Sequence, residues 1–219
     1  YLGKAYWELG QLQKALNSYQ TALQSYKQLD HVEGQANALS AMANVYWSWG
    51  QYHNSLQLNQ DALELQKSLE NQRGIGIILN NMANVYRHMG DFEKALACYN
   101  EGLTIFSTLN DPLGKAAVLG NIANIHRERG AYLEAISFLK KVLELSRLIQ
   151  HPSFEGAALS LLGEVLWLHG SPSHAKPLLH DAIALWDNLK ARGEYYVRAL
   201  LTLAAIALGK NQLELANQY

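Results

Sequence analysis

The chain has 219 residues, with 18 basic and 19 acidic side chains and a single cysteine. Its formal net charge of −1 provides no general attraction to nucleic acid or to an anionic membrane, so neither is expected as a direct partner. One cysteine excludes an internal disulfide framework, and no signal peptide or bilayer-length apolar run is visible, so we expect a cytoplasmic protein.

Glycines recur at intervals of forty residues along the chain, and the residues around them repeat as well. Apolar residues at spacings of three and four predict one helix ending at each glycine and a second helix beginning just after it. The residue seven positions before the glycine is always small, which indicates that another backbone approaches closely there. Each glycine is expected at the C′ position of the first helix, in a turn short enough to make the two helices antiparallel. The glycines are Gly10, Gly50, Gly90, Gly130 and Gly170.

In chain order, the pattern predicts helices at 12–29, 35–49, 52–70, 75–89, 92–109, 115–129, 132–149, 156–169, 178–189 and 193–209, after a first helix that the chain enters midway. Loops are expected at His31–Gly34, Asn71–Gly74 and Asp111–Gly114. Pro177 is expected to bend its helix or delay its start. Asn211 stands where the sixth repeat needs its glycine and is expected to form the same turn. The predicted fold class is all-α, a solenoid of antiparallel helical hairpins.

The repeats divide the chain into about five and a half copies, at 1–34, 35–74, 75–114, 115–155, 156–193 and 194–219. One copy is too small to bury its own apolar face, so the copies are expected to stack as a single array. Neither end supplies the polar cap that such an array needs. We therefore expect a fragment of a longer protein, in which the uncapped ends leave self-association open.

The repeat resembles the tetratricopeptide repeat along the whole chain. The resemblance rests on the small residue before the glycine, the aromatic residue three positions later, and alanine and aromatic residues in the second helix, and it is clearest in residues 80–86 and 120–126. The usual unit has about 34 residues. The longer period is similar to the repeats of kinesin light chain, of spindle-orienting adaptors of the Gly-Asn-Leu-Gly-Asn type, and of bacterial MalT-like regulators. The resemblance implies a right-handed superhelix whose first helices line a concave groove for a protein or peptide segment.

Amide side chains form a column on the first helices, away from the apolar positions. An amide both donates and accepts, so it can pair with an extended peptide backbone. The resemblance implies that this column faces the groove. The alternative is that the amides bond to one another and to neighbouring helices, which would stabilise the stack, and both roles can coexist. The column consists of Asn44, Asn84 and Asn124, with Asn81 and Asn121 one turn earlier.

A second column, three residues before each glycine, holds tryptophan or arginine, the residues most enriched at binding hot spots. Trp7 is expected to cover the groove between repeats, whereas Trp47 and Trp167 suit a cover and a partner contact equally well. The basic residues form a patch for an acidic segment unless Glu128 and Asp91 neutralise it. The candidate partner-binding residues are Asn44, Trp47, Asn81, Asn84, Arg87, His88, Asn121, Asn124, Arg127 and Trp167.

No pattern indicates catalysis, a metal or a cofactor. Residues 114–116 lack the upstream glycine and the hydroxyl residue of a phosphate-binding loop, and His169, His174 and His180 are spaced so that they scatter around a helix. Cys98 is interpreted as a packing residue. The leading hypothesis is a protein-interaction module without enzymatic activity. The alternative is an effector-sensing domain of a bacterial multidomain signalling or transcription regulator of the MalT-like or STAND type.

Overall fold

The computed structural model describes residues 2–216, and the side chains of residues 2–209. This part of the chain is all-α and packs as sequential antiparallel helix pairs, which confirms the predicted fold class. Helices α2 to α10 each contain 17 residues. The helices are α1 (Leu2–Glu8), α2 (Leu12–Gln28), α3 (Val32–Ser48), α4 (Tyr52–Ser68), α5 (Gln72–His88), α6 (Phe92–Thr108), α7 (Pro112–Glu128), α8 (Tyr132–Leu148), α9 (Pro152–Leu168), α10 (Pro172–Asn188) and α11 (Glu194–Ala216).

The helices form two compact units, unit 1 at Tyr1–Asp111 and unit 2 at Pro112–Tyr219. In unit 1, which contains α1 to α6, every helix packs against the next one in the chain. In unit 2, which contains α7 to α11, the same nearest-neighbour packing is joined by contact of α9 with α11. Each apolar helix face is therefore buried by its neighbours in the sequence, as a stack of small repeats requires.

The turn inside each hairpin is a Schellman motif centred on the recurring glycine. At the end of α3, the N–H of Gly50 donates to the carbonyl of Trp47 at 2.9 Å, and the N–H of Gln51 donates to Tyr46 at 2.9 Å. All five recurring glycines have φ between 70° and 83°, a conformation that is unfavourable for residues with a Cβ. The predicted C′ position of the glycines is confirmed.

The turn between hairpins is built in the same way, but without glycine. The N–H of Asp30 donates to Lys27 and that of His31 to Tyr26, with Asp30 at φ 50°. Its counterparts in the later repeats, all with φ between 50° and 53°, are Glu70, Asn110, Gln150 and Lys190. Asn110 and Asp30 are residue types that tolerate a left-handed backbone, but Glu70, Gln150 and Lys190 are not, so the column shows no consistent residue type and the sequence did not reveal this second turn.

The predicted loops at His31–Gly34 and Asn71–Gly74 are wrong, because the first helices start three residues earlier than expected, at Val32 and Gln72. His31 is the N-cap of α3, where its Nδ1 accepts from the N–H of Gly34 at 2.8 Å. These glycines serve packing. A Cβ at Gly34 would collide with the ring of Tyr26, and one at Gly74 would lie 2.5 Å from the side chain of Gln66. The third predicted loop is wrong in the same way, since α7 starts at Pro112.

Two predictions for the last third of the chain are also wrong. Helix α10 starts at Pro172 and continues through Pro177 to Asn188, so the predicted start at residue 178 is wrong. Pro177 removes the N–H that would reach the carbonyl of Ser173, and the bend expected there stays a prediction. Helix α11 runs through Asn211, so the expected turn does not form there. The start of α9 at Pro152 instead of residue 156 repeats the error made at the earlier first helices.

The column of small residues allows a close approach, but the nearest atoms at Gly3 and Gly163 belong to a side chain and not, as predicted, to another backbone. A Cβ on Gly3 would lie 2.6 Å from the ring of Tyr19, and one on Gly163 would lie 2.6 Å from Leu179 Cδ2. Both of these large side chains come from the second helix of the same hairpin. The small residues therefore make room for the side chain that lies nine positions after the glycine of each hairpin turn.

Candidate functional site

In unit 1, the first helices of three hairpins line one cleft of about 170 Å³, which we call the unit 1 cleft. It brings together four of the predicted partner-binding residues, from two helices, beside a tryptophan of α1. Trp7, interpreted above as a cover, lines this cleft and keeps 38% of its surface exposed. The lining residues are Trp7, Asn44, Trp47, Asn81, Asn84 and Val85.

Two of the amides at this cleft bond to the protein itself. The hydroxyl of Tyr99, a fully buried residue of α6, donates to Asn84 Oδ1 at 2.6 Å. Asn81 Nδ2 donates to Ser40 Oγ at 3.2 Å, joining α5 to α3. These two asparagines therefore take the stabilising role that was the alternative interpretation of the amide column.

Asn44 differs from its counterpart Asn84. Its side chain is half-buried, and no hydrogen bond to its amide is found among the side chains and backbone that the structure describes. The reason lies in the second helix. Asn59 of α4 occupies the position that Tyr99 has in α6, and its Nδ2 donates to the carbonyl of Ser55 at 3.1 Å. Because position 59 of α4 holds an asparagine where α6 has Tyr99, the amide of Asn44 remains available at the cleft.

Aromatic contacts hold the ends of α3 and α5 together at the edge of the unit 1 cleft. The ring of His88 lies 5.2 Å from that of Trp47, nearly edge-on, and 6.3 Å from that of Tyr52. Arg87 Nη2 is 3.2 Å from His88 Nε2. Trp47 is thus fixed from one side by histidine while it lines the cleft with another part of its surface.

The other predicted residues belong to unit 2, where Asn121 and Asn124 line a second cleft of about 220 Å³, the unit 2 cleft. Its lining comes mainly from α7 and α9, with two residues of α8 and one residue of α11. The Asn124 amide has no hydrogen-bond partner among the described residues, because Leu139 takes the position that Tyr99 has in unit 1. The remaining lining residues are Ala116, Ala117, Gly120, Val142, Phe154, Ala157, Ala158, Leu161 and Tyr195.

Arg127 is neutralised by carboxylates, so it does not form a free basic patch. Its guanidinium lies 3.7 Å from Glu164 and 3.6 Å from Glu128. Glu164 also accepts from Arg198 Nη1 at 2.8 Å, and Arg198 Nη2 donates to Glu194 at 2.7 Å. Burial would lower the pKa of Arg198, but its bonds to the two glutamates raise it, so the guanidinium stays charged. Asp91, expected as a neutralising group, pairs with Lys94 at 2.8 Å.

Trp167 lies apart from the asparagines, in a groove of about 550 Å³ between α9 and α11. Val197, Leu201 and Ala205 of α11 give it apolar lining, and the Glu164–Arg198 ion pair lines it as well. Sequence reasoning did not identify Arg198 as a site residue. Its only sequence signal is the spacing of 34 residues from Glu164, which differs from the repeat period.

The described residues offer little for catalysis. Burial and the nearby Glu101 raise the pKa of the Cys98 thiol, so it stays protonated and weakly nucleophilic at neutral pH. Within residues 2–209, no three histidine, cysteine or acidic side chains lie close enough together to hold a metal ion. None of the helices in the described part of the chain has the length and apolar composition needed to cross a bilayer.

Comparisons with known proteins agree with this architecture. The sequence profile described as tetratricopeptide repeat matches residues 1–68 and 74–147. No curated protein was found to match the chain.

Solved structures with the same fold cover most of the chain. One is the Rap conjugation gene regulator of plasmid pLS20 in complex with the Phr* peptide, at 16% identity and TM-score 0.79, covering 90% of this chain and 55% of that one. Another is a STAND protein with a tetratricopeptide repeat sensor from Pyrococcus horikoshii, at 16% identity and TM-score 0.74, covering 95% of this chain and 32% of that one. The kinesin light chain nearly identical repeats from Podosopora anserina match at 17% identity and TM-score 0.64, covering 86% of this chain and 93% of that one. At these identities the likeness concerns the fold alone.

Proposed function

We propose that this chain, which belongs to the tetratricopeptide repeat family, binds a segment of another protein along its first helices. The observation that carries the proposal is the unit 1 cleft, where the unpartnered amide of Asn44 lies beside Trp7 and Trp47. An amide in a half-buried position with no internal partner gains most from a partner that supplies a donor and an acceptor. A peptide backbone supplies both.

The tryptophans provide the apolar part of this interaction. Trp7 and Trp47 both line the cleft, and Trp47 is held by His88 at 5.2 Å. A preordered tryptophan loses little side-chain entropy on binding, which favours it as an anchor. No lining residue of the unit 1 cleft is charged, so the segment that binds there is expected to present apolar side chains and backbone polar groups.

The comparison with the Rap regulator supports the proposal. That protein was solved with a bound Phr* peptide, so a tetratricopeptide fold similar to this one accommodates a peptide.

Selection of peptides followed by calorimetry tests the proposal. Binders selected from a displayed library of random peptides would be titrated into the wild-type protein and into Asn44→Ala and Trp47→Ala. We expect about five- to tenfold weaker binding for Asn44→Ala, the scale of one net hydrogen bond, and a larger loss for Trp47→Ala. The matched control is Asn100→Ala, an exposed amide on the second helix α6, which should bind like wild type. Failure to select any binder, or equal affinity in all variants, would contradict the proposal.

The alternative function is that of a sensor, in which binding of an effector to this array controls another part of the same polypeptide. The specific observation in its favour is the similarity to the STAND protein with a tetratricopeptide repeat sensor. The match covers 32% of that protein. The complete gene product discriminates between the two functions. A nucleotide-binding or DNA-binding domain in the same polypeptide favours the sensor, and further repeats alone favour the interaction module.

A further inference from the structure

The unit 2 cleft is lined by small residues of α7, which we call its floor, and by larger residues of the other helices. Ala116, Ala117 and Gly120 of α7 line it, and Phe154 and Tyr195 contribute aromatic rings. A Cβ built on Gly120 meets no atom within 4 Å, so the space above this residue is open. A volume of about 220 Å³ suits one aromatic side chain, since cavities of roughly 150 Å³ can hold benzene.

The chain contains an internal precedent for what its amide binds. In unit 1, the hydroxyl of Tyr99 donates to Asn84 Oδ1 at 2.6 Å. In unit 2, Asn124 occupies the position of Asn84, forty residues on, but Leu139 replaces the tyrosine. Both Asn124 and Leu139 line the cleft. The replacement removes a phenol and leaves the amide that would have accepted its hydrogen bond without a partner among the described residues.

The charge of the cleft restricts its ligand further. None of its lining residues carries a formal charge, so an ionised side chain would lose its hydration without gaining a counter-ion. A neutral aromatic group with one hydrogen-bond donor fits both the apolar floor and the amide. Tyrosine has this chemistry, whereas phosphotyrosine carries a negative charge that the cleft does not neutralise.

We propose that the unit 2 cleft binds a tyrosine side chain of the partner segment, with the ring on the Ala117–Gly120 floor and the hydroxyl donating to Asn124. The inference rests on the proposed function in that it assumes a bound segment, and it adds the identity of one side chain. Phosphorylation of that tyrosine would prevent binding at this cleft.

Titration with single amino-acid amides tests the cleft directly, using two-dimensional NMR of the whole chain labelled with ¹⁵N. The probes are N-acetyl-tyrosinamide and its phenylalanine, leucine, lysine and phosphotyrosine analogues. We expect saturable shifts of Gly120 and Asn124 with the tyrosine probe, binding about five- to tenfold weaker for the phenylalanine probe, and no saturable shifts with the lysine or phosphotyrosine probe.

Three variants separate the parts of the proposal. Gly120→Leu fills the open space and should abolish binding of the tyrosine probe. Leu139→Tyr rebuilds the internal phenol of unit 1 and should also abolish it. Asn124→Ala should bind the tyrosine and phenylalanine probes equally. Circular dichroism and thermal melts verify that each variant folds. If Leu139→Tyr does not fold, Gly120→Leu still tests the proposal, because the new leucine side chain enters open space.

Several outcomes would overturn the inference. These are no saturable shifts with the tyrosine probe at any soluble concentration, equal affinity for the leucine or lysine probe, or undiminished binding by Gly120→Leu. The proposed function fails separately. If selected peptides bind wild type and Gly120→Leu equally, the tyrosine cleft is wrong and peptide binding stands. If no peptide is selected, the proposed function fails, and the titration with amino-acid amides still shows whether the unit 2 cleft binds tyrosine.

Discussion

Truncating two equivalent asparagines should lower stability at one position and not at the other. Asn84→Ala removes the acceptor that lies 2.6 Å from the buried hydroxyl of Tyr99. Loss of such a bond costs about 0.5–1.5 kcal/mol, and up to about 3 kcal/mol where the donor is left buried. Alanine returns up to about 0.7 kcal/mol through its higher helix propensity. We expect Asn84→Ala to lower the free energy of unfolding by about 1–2 kcal/mol.

Asn44→Ala is the matched control, because the same residue type occupies the same column in the preceding hairpin. Its amide makes no hydrogen bond among the described residues, so only the propensity gain remains. We expect an unchanged or slightly higher stability, by at most about 0.7 kcal/mol. Urea denaturation followed by circular dichroism measures both variants against wild type.

A double-mutant cycle of Asn84→Ala with Tyr99→Phe isolates the bond itself. We expect a coupling energy of about 1 kcal/mol between the two residues. Equal stability of Asn84→Ala and Asn44→Ala, together with zero coupling, would refute the stabilising role of Asn84. It would also weaken the internal precedent on which the tyrosine cleft is argued.

Three further predictions concern packing, pH and helix geometry. Gly76→Ala should destabilise the protein by about 1–3 kcal/mol, since its Cβ would lie 2.9 Å from a phenylalanine ring. Gly120→Ala should stabilise the protein by about 0.5–1 kcal/mol, since its Cβ would enter open space. Thermal melts compare the two variants. Hydrogen bonds from Lys94 lower the pKa of Asp91 below its ordinary value, so the stability that this carboxylate contributes is present above the ordinary pKa of an aspartate and is lost as the pH falls through the lowered pKa. Asp91→Asn should therefore flatten the acid limb of the stability curve, and an unchanged limb would contradict the assignment. Pro177→Ala should raise the free energy of unfolding by about 1–3 kcal/mol by restoring a helical hydrogen bond, and a loss of stability in urea melts would show that the proline is required.

The fold was predictable from the sequence because the same pattern of residues occurs in successive repeats. The glycine at each hairpin turn, such as Gly50, is required by its positive φ and is therefore readable. The family and the all-α solenoid are confirmed. The turn between hairpins was missed, because Glu70 and Gln150 adopt the left-handed backbone without any feature that marks them. Gly34 was predicted to lie in a loop, because a glycine in a sequence can indicate either close packing or a left-handed backbone.

The candidate site was predictable as a column but not in the detail of its bonds. Asn44, Asn84 and Asn124 have the same position in the repeat, yet only Asn84 has a tyrosine fifteen residues later that reaches it. Pairing the two columns of the repeat would have revealed this difference. The contact of Arg127 with Glu164 was harder to foresee, because it depends on the distance between neighbouring first helices.

The nearest-neighbour packing of the helices has a consequence for how the chain folds. Within each unit, most helix contacts join elements that are adjacent in sequence, which gives a low contact order and predicts fast folding for a chain of this size. The buried residues of one core cluster lie only in the second half of α4 and in α5, and they are Ala62, Leu63, Ile75, Ile78, Leu79 and Met82. It closes a short loop, so its entropic cost is small. We expect this segment to nucleate folding, with native structure then spreading from it to the neighbouring hairpins in turn.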